Sequence, residues 1–304
     1  MTRSEDTPND SAPYTLKRFA DRYPEPLNRI SDPPDALYVR GEISDAPRIA
    51  IVGSRDCSEY GRQIAYRLAA DIVRAGFVVV SGLARGIDAA SHVGALDAGG
   101  ETIAVLPCGI DTVYPRRHIR LAARIAGQGA VVTEFEPGTP VRRSSFMERN
   151  RIIAGLAAAT VVVEAAHRSG AKITASYALQ YDREVMAVPG PVGSRTSAGA
   201  NSLLAEGAAV CTGIESLLAQ LPVSYREAGQ RRLELSREKR AAVVCGLDNG
   251  ARSILEAIPE TGCCGVEHLA AATSLPIGEL LALLTDMEVR GLIRSIGSQR
   301  FERS

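Results

Sequence analysis

Four short clusters in this 304-residue chain carry residue types that handle anions. The first, Phe146-Met147-Glu148-Arg149-Asn150-Arg151, leads into the apolar run Ile152-Ile153-Ala154-Gly155-Leu156. Read as a helix opening at that run, it sets two cations where a helix already carries about half a positive charge, an end that favours acids. Asn150 is then placed to cap the first turn. Free N–H groups at such an end bind phosphate, and guanidinium forks match phosphate oxygens. Alternatively, one arginine pairs with an acid such as Glu148 and the other is solvated. Phe146 offers a stacking face for an unpaired base, or it fills core.

Val52-Gly53-Ser54-Arg55 ends the first strong apolar run, with a close-approach glycine, a hydroxyl and a phosphate fork, or simply a tight turn with a surface arginine. It is not G-x-G-x-x-G, and no acid ends the second strand to hold a ribose, so a NAD site is unsupported. Ser81-Gly82-Leu83-Ala84-Arg85-Gly86-Ile87-Asp88 opens a helix after the second run and is an anion-nest candidate around Gly82 and Arg85. There Asp88 is a possible cap, and His92 reads as a packed residue because no partner is fixed by spacing. Ser169-Gly170-Ala171-Lys172-Ile173-Thr174 either cradles a phosphate or is a plain cap. Glu164 is the one acid placed as a catalytic base would be, and its alternative role is pairing with one of the arginines. No metal-ligand spacing and no cofactor motif accompany these clusters.

The elements that must position them alternate regularly. Continuous apolar runs at residues 49–52, 77–80, 102–106, 130–132, 161–163, 185–188 and 208–211 suit strands buried on both faces. Amphipathic stretches at 59–74, 118–126 and 174–181 separate them. The expected fold is α/β, an extended Rossmann-like, doubly wound, mostly parallel sheet over residues 48–221, with ligands at the carboxyl ends of its strands. Residues 1–13 read as a disordered tail, 14–47 as an arm with a short helix packed on the main domain, and 222–251 as a linker or exposed helix. Residues 252–304 read as three helices and a hairpin, the winged-helix plan, with Ile277, Leu280, Leu281, Leu284, Met287 and Val289 lining one side of the third helix. Only Arg290 is basic on that helix, so a duplex-reading role is matched by a protein-contact one.

Lys+Arg and Asp+Glu are equal at 35 each, so any anion site must be local. The six cysteines form no C-x-x-C, and no signal or bilayer-length apolar segment occurs, which together predict a cytoplasmic protein without a membrane partner.

Taken in order, G-S-R, S-G-L-A-x-G-I-D, A-V-L-x-x-G-x-D-x-x-Y-P, F-x-x-R-N-R-I-I-A-G-L, V-x-E-A, T-A, A-V-P-G and G-x-N-x-L closely resemble the DNA-processing protein A family, also called Smf. The resemblance runs from about residue 33 to 221, and the tail resembles the winged helix of many members. It implies an extended Rossmann core, a homodimer, binding of single-stranded DNA and loading of the recombinase RecA, chiefly in natural transformation, without catalysis or cofactor. The family's DNA pocket maps onto Ser54, Arg55, Gly82, Arg85, Phe146, Arg149, Asn150 and Arg151. Lys172 is added, although the family usually has an apolar residue there. S-G-A replaces S-G-S at Ser169, and His118 stands where Asn is common. Only the short arm stands where most members have a sterile-alpha-motif-like domain, leaving room for a specialised paralogue in defence against foreign DNA. A rival reading is a nucleotide hydrolase like the lysine-decarboxylase-like phosphoribohydrolases. Its P-G-G-x-G-T-x-x-E segment is missing, since Pro189-Gly190-Pro191-Val192-Gly193-Ser194 lacks the acid.

Overall fold

The computed structural model describes residues 12–245, 247–259, 263–297 and 299–303. The tail expected at 1–13 therefore lies, save its last two residues, outside the described residues. The chain forms two compact units, one ending at Glu234 and one beginning at Leu235.

The first unit starts with strand β1 (Tyr14–Lys17), a single turn α1 (Glu25–Asn28) and β2 (Ala36–Gly41). Then follow β3 (Arg48–Val52), α2 (Glu59–Arg74), β4 (Val78–Ser81), α3 (Ile87–Asp97), β5 (Thr102–Val105), α4 (Ile119–Gln128) and β6 (Ala130–Thr133). The second half holds α5 (Ser145–Leu156), β7 (Ala159–Val162), α6 (Gly170–Gln180), β8 (Glu184–Ala187), α7 (Ala198–Ala205), β9 (Ala209–Val210) and α8 (Ile214–Gln220). A long helix, α9 (Val223–Cys245), occupies most of the expected linker.

Among the described residues, nine strands form one sheet in the order β1-β2-β6-β5-β4-β3-β7-β8-β9. From β6 to β9 every pairing is parallel, while β2 runs antiparallel to both β6 and β1. The doubly wound sheet expected from the continuous apolar runs is the observed one. In β3 every residue is buried, Ala50 and Val52 in the core of one face and Ile49 and Ile51 in that of the other. Chain order reverses beside β3: β4, β5 and β6 extend to one side and β7, β8 and β9 to the other. The loops after β3 and β7 thus part and leave a crevice at the carboxyl edge.

The arm keeps its expected short helix, α1, with Leu27 buried in the main core, and goes beyond the expectation by adding β1 and β2 to the sheet, with Leu16, Leu37 and Val39 in the same core. Alternation of buried and half-buried residues along β2 suits a strand with one face on the core, and Pro24 and Pro26 open the one-turn helix, where a missing N–H goes unused.

The second unit contains α10 (Asn249–Ala257), β10 (Cys263–Gly265), α11 (Val266–Thr273), α12 (Ile277–Val289), β11 (Ile293–Ser295) and β12 (Arg300–Arg303). The hairpin expected here is joined by β10, giving the order β10-β12-β11. One expectation for α12 is corrected. Leu280, Leu284 and Met287 are buried, but Ile277, Leu281 and Val289 are 63%, 44% and 83% exposed. The buried three repeat at i, i+4 and i+7, whereas Leu281 is turned about 100° from Leu280 and Val289 falls on the opposite face. Among the described residues, no single helix is long and apolar enough to cross a membrane.

Candidate functional site

The crevice is built from backbone upward. Ser54 leaves the end of β3 with its N–H bonded to the Glu164 carbonyl at 2.7 Å, so the loops after β3 and β7 are tied where they part. Its hydroxyl accepts from the Asp56 N–H at 3.2 Å, and the exposed Arg55 places its guanidinium 4.8 Å from the centre of the Phe146 ring. Phe146 in turn meets Tyr114 edge-on, with centroids 5.6 Å apart.

After β4, the N–H groups of Gly82 and Ala84 donate to one Asp88 carboxylate oxygen at 3.2 and 3.3 Å. The expected anion nest is therefore occupied by a carboxylate of the chain itself, and Asp88 reaches back over the loop rather than capping its own helix. Burial raises the Asp88 pKa, opposed by Arg149 and the two amides. Gly82 is required by a close approach: a Cβ there would stand 2.0 Å from Arg149 Nη1.

The arginine cluster is placed differently from its sequence-based expectation. Helix α5 begins at Ser145, so Arg149-Asn150-Arg151 lies in its second turn and not at its N-terminus. Asn150 caps nothing; its amide donates to the Gly170 carbonyl at 3.3 Å and joins α5 to the start of α6. Arg149 is only 4% exposed and donates through Nη1 to the Val105 carbonyl at 2.6 Å, while its Nε is buried with no protein partner. Burial pushes its pKa down to about 10, with Asp88 opposing and the nearby Arg55 adding to the shift. Arg151 points elsewhere, paired with Glu134 and, at 3.4 Å, with Asp32.

Glu164 pairs with neither arginine. It is 3% exposed and accepts from the Ser58 N–H at 2.8 Å and the Ser58 hydroxyl at 2.5 Å, which braces the first turn of α2. Lys172 also turns away from the crevice, bonded to Ser202 at 2.7 Å and Glu206 at 3.2 Å. His92 is fully buried against the Thr102 hydroxyl at 2.7 Å, its pKa lowered to about 3 chiefly by burial.

Two adjoining pockets result. The larger, about 600 Å³, is lined by Ser54, Arg55, Phe146, Arg149 and Asn150 among the expected residues. The smaller, about 180 Å³, is lined by Gly82 and Arg85 and shares Arg55, Phe146 and Arg149 with the first. Arg151 and Lys172 line neither. Sequence reading missed Arg143, Arg168, Arg195 and Thr196 in the larger pocket and Tyr114 in the smaller. The signal was available: each stands on a loop leaving the carboxyl end of a strand, the edge where such sheets bind ligands. The larger pocket thus gathers five arginines against Asp56 and Asp88. Its volume suits an organic ligand and its lining suits an anionic one. Among the described residues, no group of three or more His, Cys, Asp or Glu side chains could hold a metal ion.

Comparison with known proteins adds the lineage. The family model described as DNA recombination-mediator protein A matches residues 15–222, and that of the DprA winged helix domain matches residues 238–297. Protein Smf of Synechocystis sp. is 33% identical over an alignment of 310 positions that covers 92% of this chain and 78% of that protein. The X-ray structure of DNA processing protein A from Streptococcus pneumoniae aligns with a TM-score of 0.66 and 38% identity over 69% of this chain and 74% of its own. Its counterpart from Helicobacter pylori, studied for its unique single-stranded DNA binding mode, aligns with a TM-score of 0.62 and 29% identity over 69% and 97%. The first match takes in every strand of the nine-stranded sheet and both pockets, and the second most of the smaller unit; the chain belongs to the DNA recombination-mediator protein A family.

Proposed function

We propose that the paired pockets hold single-stranded DNA, and that the protein is a non-enzymatic mediator that acts as a homodimer and delivers the strand to RecA. The observation that carries the DNA reading is the arginine-lined pocket with an aromatic wall. Arg55, Arg143, Arg168 and Arg195 are exposed around it, and the buried Arg149 forms part of its floor with an unsatisfied Nε. Burial is the main cause of the depressed Arg149 pKa and the nearby Arg55 adds to it, and a phosphate seated among these cations favours their charged forms. The smaller pocket, walled by Phe146 and Tyr114, suits one unpaired base. The Helicobacter relative binds single-stranded DNA, and the family's description as a recombination mediator supports the delivery step. The absence of catalysis is supported by Glu164, whose carboxylate is engaged in bracing α2.

Because Arg149 is buried, the test uses exposed positions. Arg55→Ala and Arg195→Ala should each weaken binding of a single-stranded oligonucleotide by about 1–3 kcal/mol, the loss of a charged hydrogen bond, with thermal stability unchanged. Fluorescence anisotropy reads this directly, and parent-like affinity of the double variant sinks the pocket assignment. For delivery, the full chain should let RecA displace a single-strand binding protein from DNA. Failure there with DNA binding intact points to the specialised paralogue.

A further inference from the structure

We propose that the turn at residues 18–24 is a second contact for the same DNA single strand, which runs to it from the pocket along the carboxyl edge of the sheet. The inference rests on the pocket reading above. Its starting point is Phe19, which is 76% exposed in a left-handed backbone conformation, φ 67°. A bulky aromatic in that region is rare, and here no packing accounts for it. The Arg18 guanidinium lies 4.5 Å from the centre of its ring, and that of Arg22 lies 5.8 Å from the centre of the Tyr14 ring. Aromatic faces interleaved with guanidinium groups are what successive bases and phosphates of a single strand engage.

Register places this turn at the correct edge. Lys17, the last residue of β1, pairs with Ala36, the first of β2. Two residues on, Tyr38 pairs with Thr133, the last residue of β6. The turn after β1 therefore emerges where the parallel strands end, on the same edge as the pocket. The loops leaving that edge, at residues 18–24, 53–58, 82–86, 106–118, 134–144, 164–169 and 188–197, hold ten arginines and no lysine against six acids, in a chain whose 35 cations and 35 anions balance overall. Four of those acids are engaged, Asp56 by Arg85, Asp111 by the Gly138 N–H, Glu134 by Arg151 and Glu164 by Ser58. Arg142 is exposed on the loop after β6, the strand next to β2 in the sheet, and precedes the pocket-lining Arg143 in the chain.

The pocket wall at Tyr114, on the loop after β5, is three interstrand steps from β1, and Arg55 after β3 is five. Those are on the order of 14 and 24 Å, since neighbouring strands lie about 4.8 Å apart. Either distance exceeds the Debye length at 0.1 M salt, roughly 10 Å, so the two patches do not share a phosphate and only a bridging strand engages both.

Length dependence tests this. Binding of oligothymidylates of about four and about twenty nucleotides is measured for the full chain, for Phe19→Ala, for Arg22→Ser and for Arg55→Ala. The two turn variants should weaken the longer oligonucleotide roughly fivefold or more and leave the shorter within about twofold, with melting temperatures unchanged. Arg55→Ala should weaken both. Arg142→Ser, from a separate loop, should behave as the turn variants do. Unchanged binding of the longer oligonucleotide by the turn variants, or equal losses at both lengths, overturns the track. A change of oligomeric state in those variants with DNA affinity intact overturns it too, and marks a contact between protein chains. Parent-like binding of both lengths by Arg55→Ala overturns the pocket reading instead.

Discussion

The residue that organises the crevice is Arg149, and it does so from beneath. Its guanidinium bonds the Val105 carbonyl at the end of β5 and lies against Gly82 at the end of β4, so one side chain fixes two of the loops that form the pocket wall. This gives Gly82 a physical reason distinct from turn flexibility. An added methyl group 2.0 Å from Nη1 forces the guanidinium off its carbonyl, and no second buried acceptor is bonded to it. Gly82→Ala should therefore destabilise the fold by about 2 kcal/mol, the range for a lost hydrogen bond to a charged group. It should also weaken single-strand binding, because Arg85 and Arg55 flank the displaced loop. Gly127, inside α4, is the contrast: a Cβ there meets nothing within 4 Å. Gly127→Ala should be neutral or stabilising by about 0.5–1 kcal/mol. Chemical denaturation of both variants decides the matter, and equal stabilities would show that Arg149 is not packed as described.

At the scale of elements, α2 shows how a site of catalytic aspect becomes structural. Ser58 caps the helix by accepting from the Gly61 N–H at 3.0 Å, and its hydroxyl proton goes to Glu164 across 106 residues of sequence. A carboxylate this buried needs its donors, so cap and carboxylate should be energetically coupled. Ser58→Ala and Glu164→Gln should each cost about 1–2 kcal/mol, and together clearly less or more than their sum. Additive losses would dissolve the coupling. Release of base from nucleoside monophosphates by the parent, abolished in Glu164→Gln, would revive the hydrolase. That partnership was not legible in the sequence, and the reason is general here. The strands could be read because their apolar runs are continuous, and α2 because its amphipathic period is clean. Short helices rich in small residues, such as α7 with Ala198-Gly199-Ala200-Asn201, carry no such period and went unread. The start of α5 was misplaced because residues 145–151 look polar, although Ser145, Arg149 and Asn150 are buried by the loops around them. Ser54, Arg55 and Phe146 were candidates by their chemistry, each beside a structural alternative, and the resemblance put them in one pocket, where all three line the crevice. Whether Arg151 and Lys172 face a ligand depended on Glu134, Asp32, Ser202 and Glu206, partners that only folding brings near.

For the whole molecule, the decisive fact is a neutral chain, 35 cations against 35 anions, whose loops at one edge of one sheet hold ten of those cations against six anions. Such a protein gains little from a long-range field, so its affinity for DNA should depend on salt only through the phosphates it actually touches. Each phosphate neutralised on a single strand contributes a slope of about −0.7 in log K against log salt. Four exposed arginines around the larger pocket then predict a slope near −3 for a short oligonucleotide. Removing Arg195 should reduce that slope by about 0.7, whatever the base sequence, because a phosphate contact carries no base information. Phe146→Ala should do the opposite, lowering affinity by about 1–3 kcal/mol at every salt concentration while the slope stays fixed, since stacking releases no counterion. Titrations at several salt concentrations separate the two. A slope close to zero, or one that falls equally in the arginine and phenylalanine variants, would mean that the arginines of the crevice do not meet phosphate.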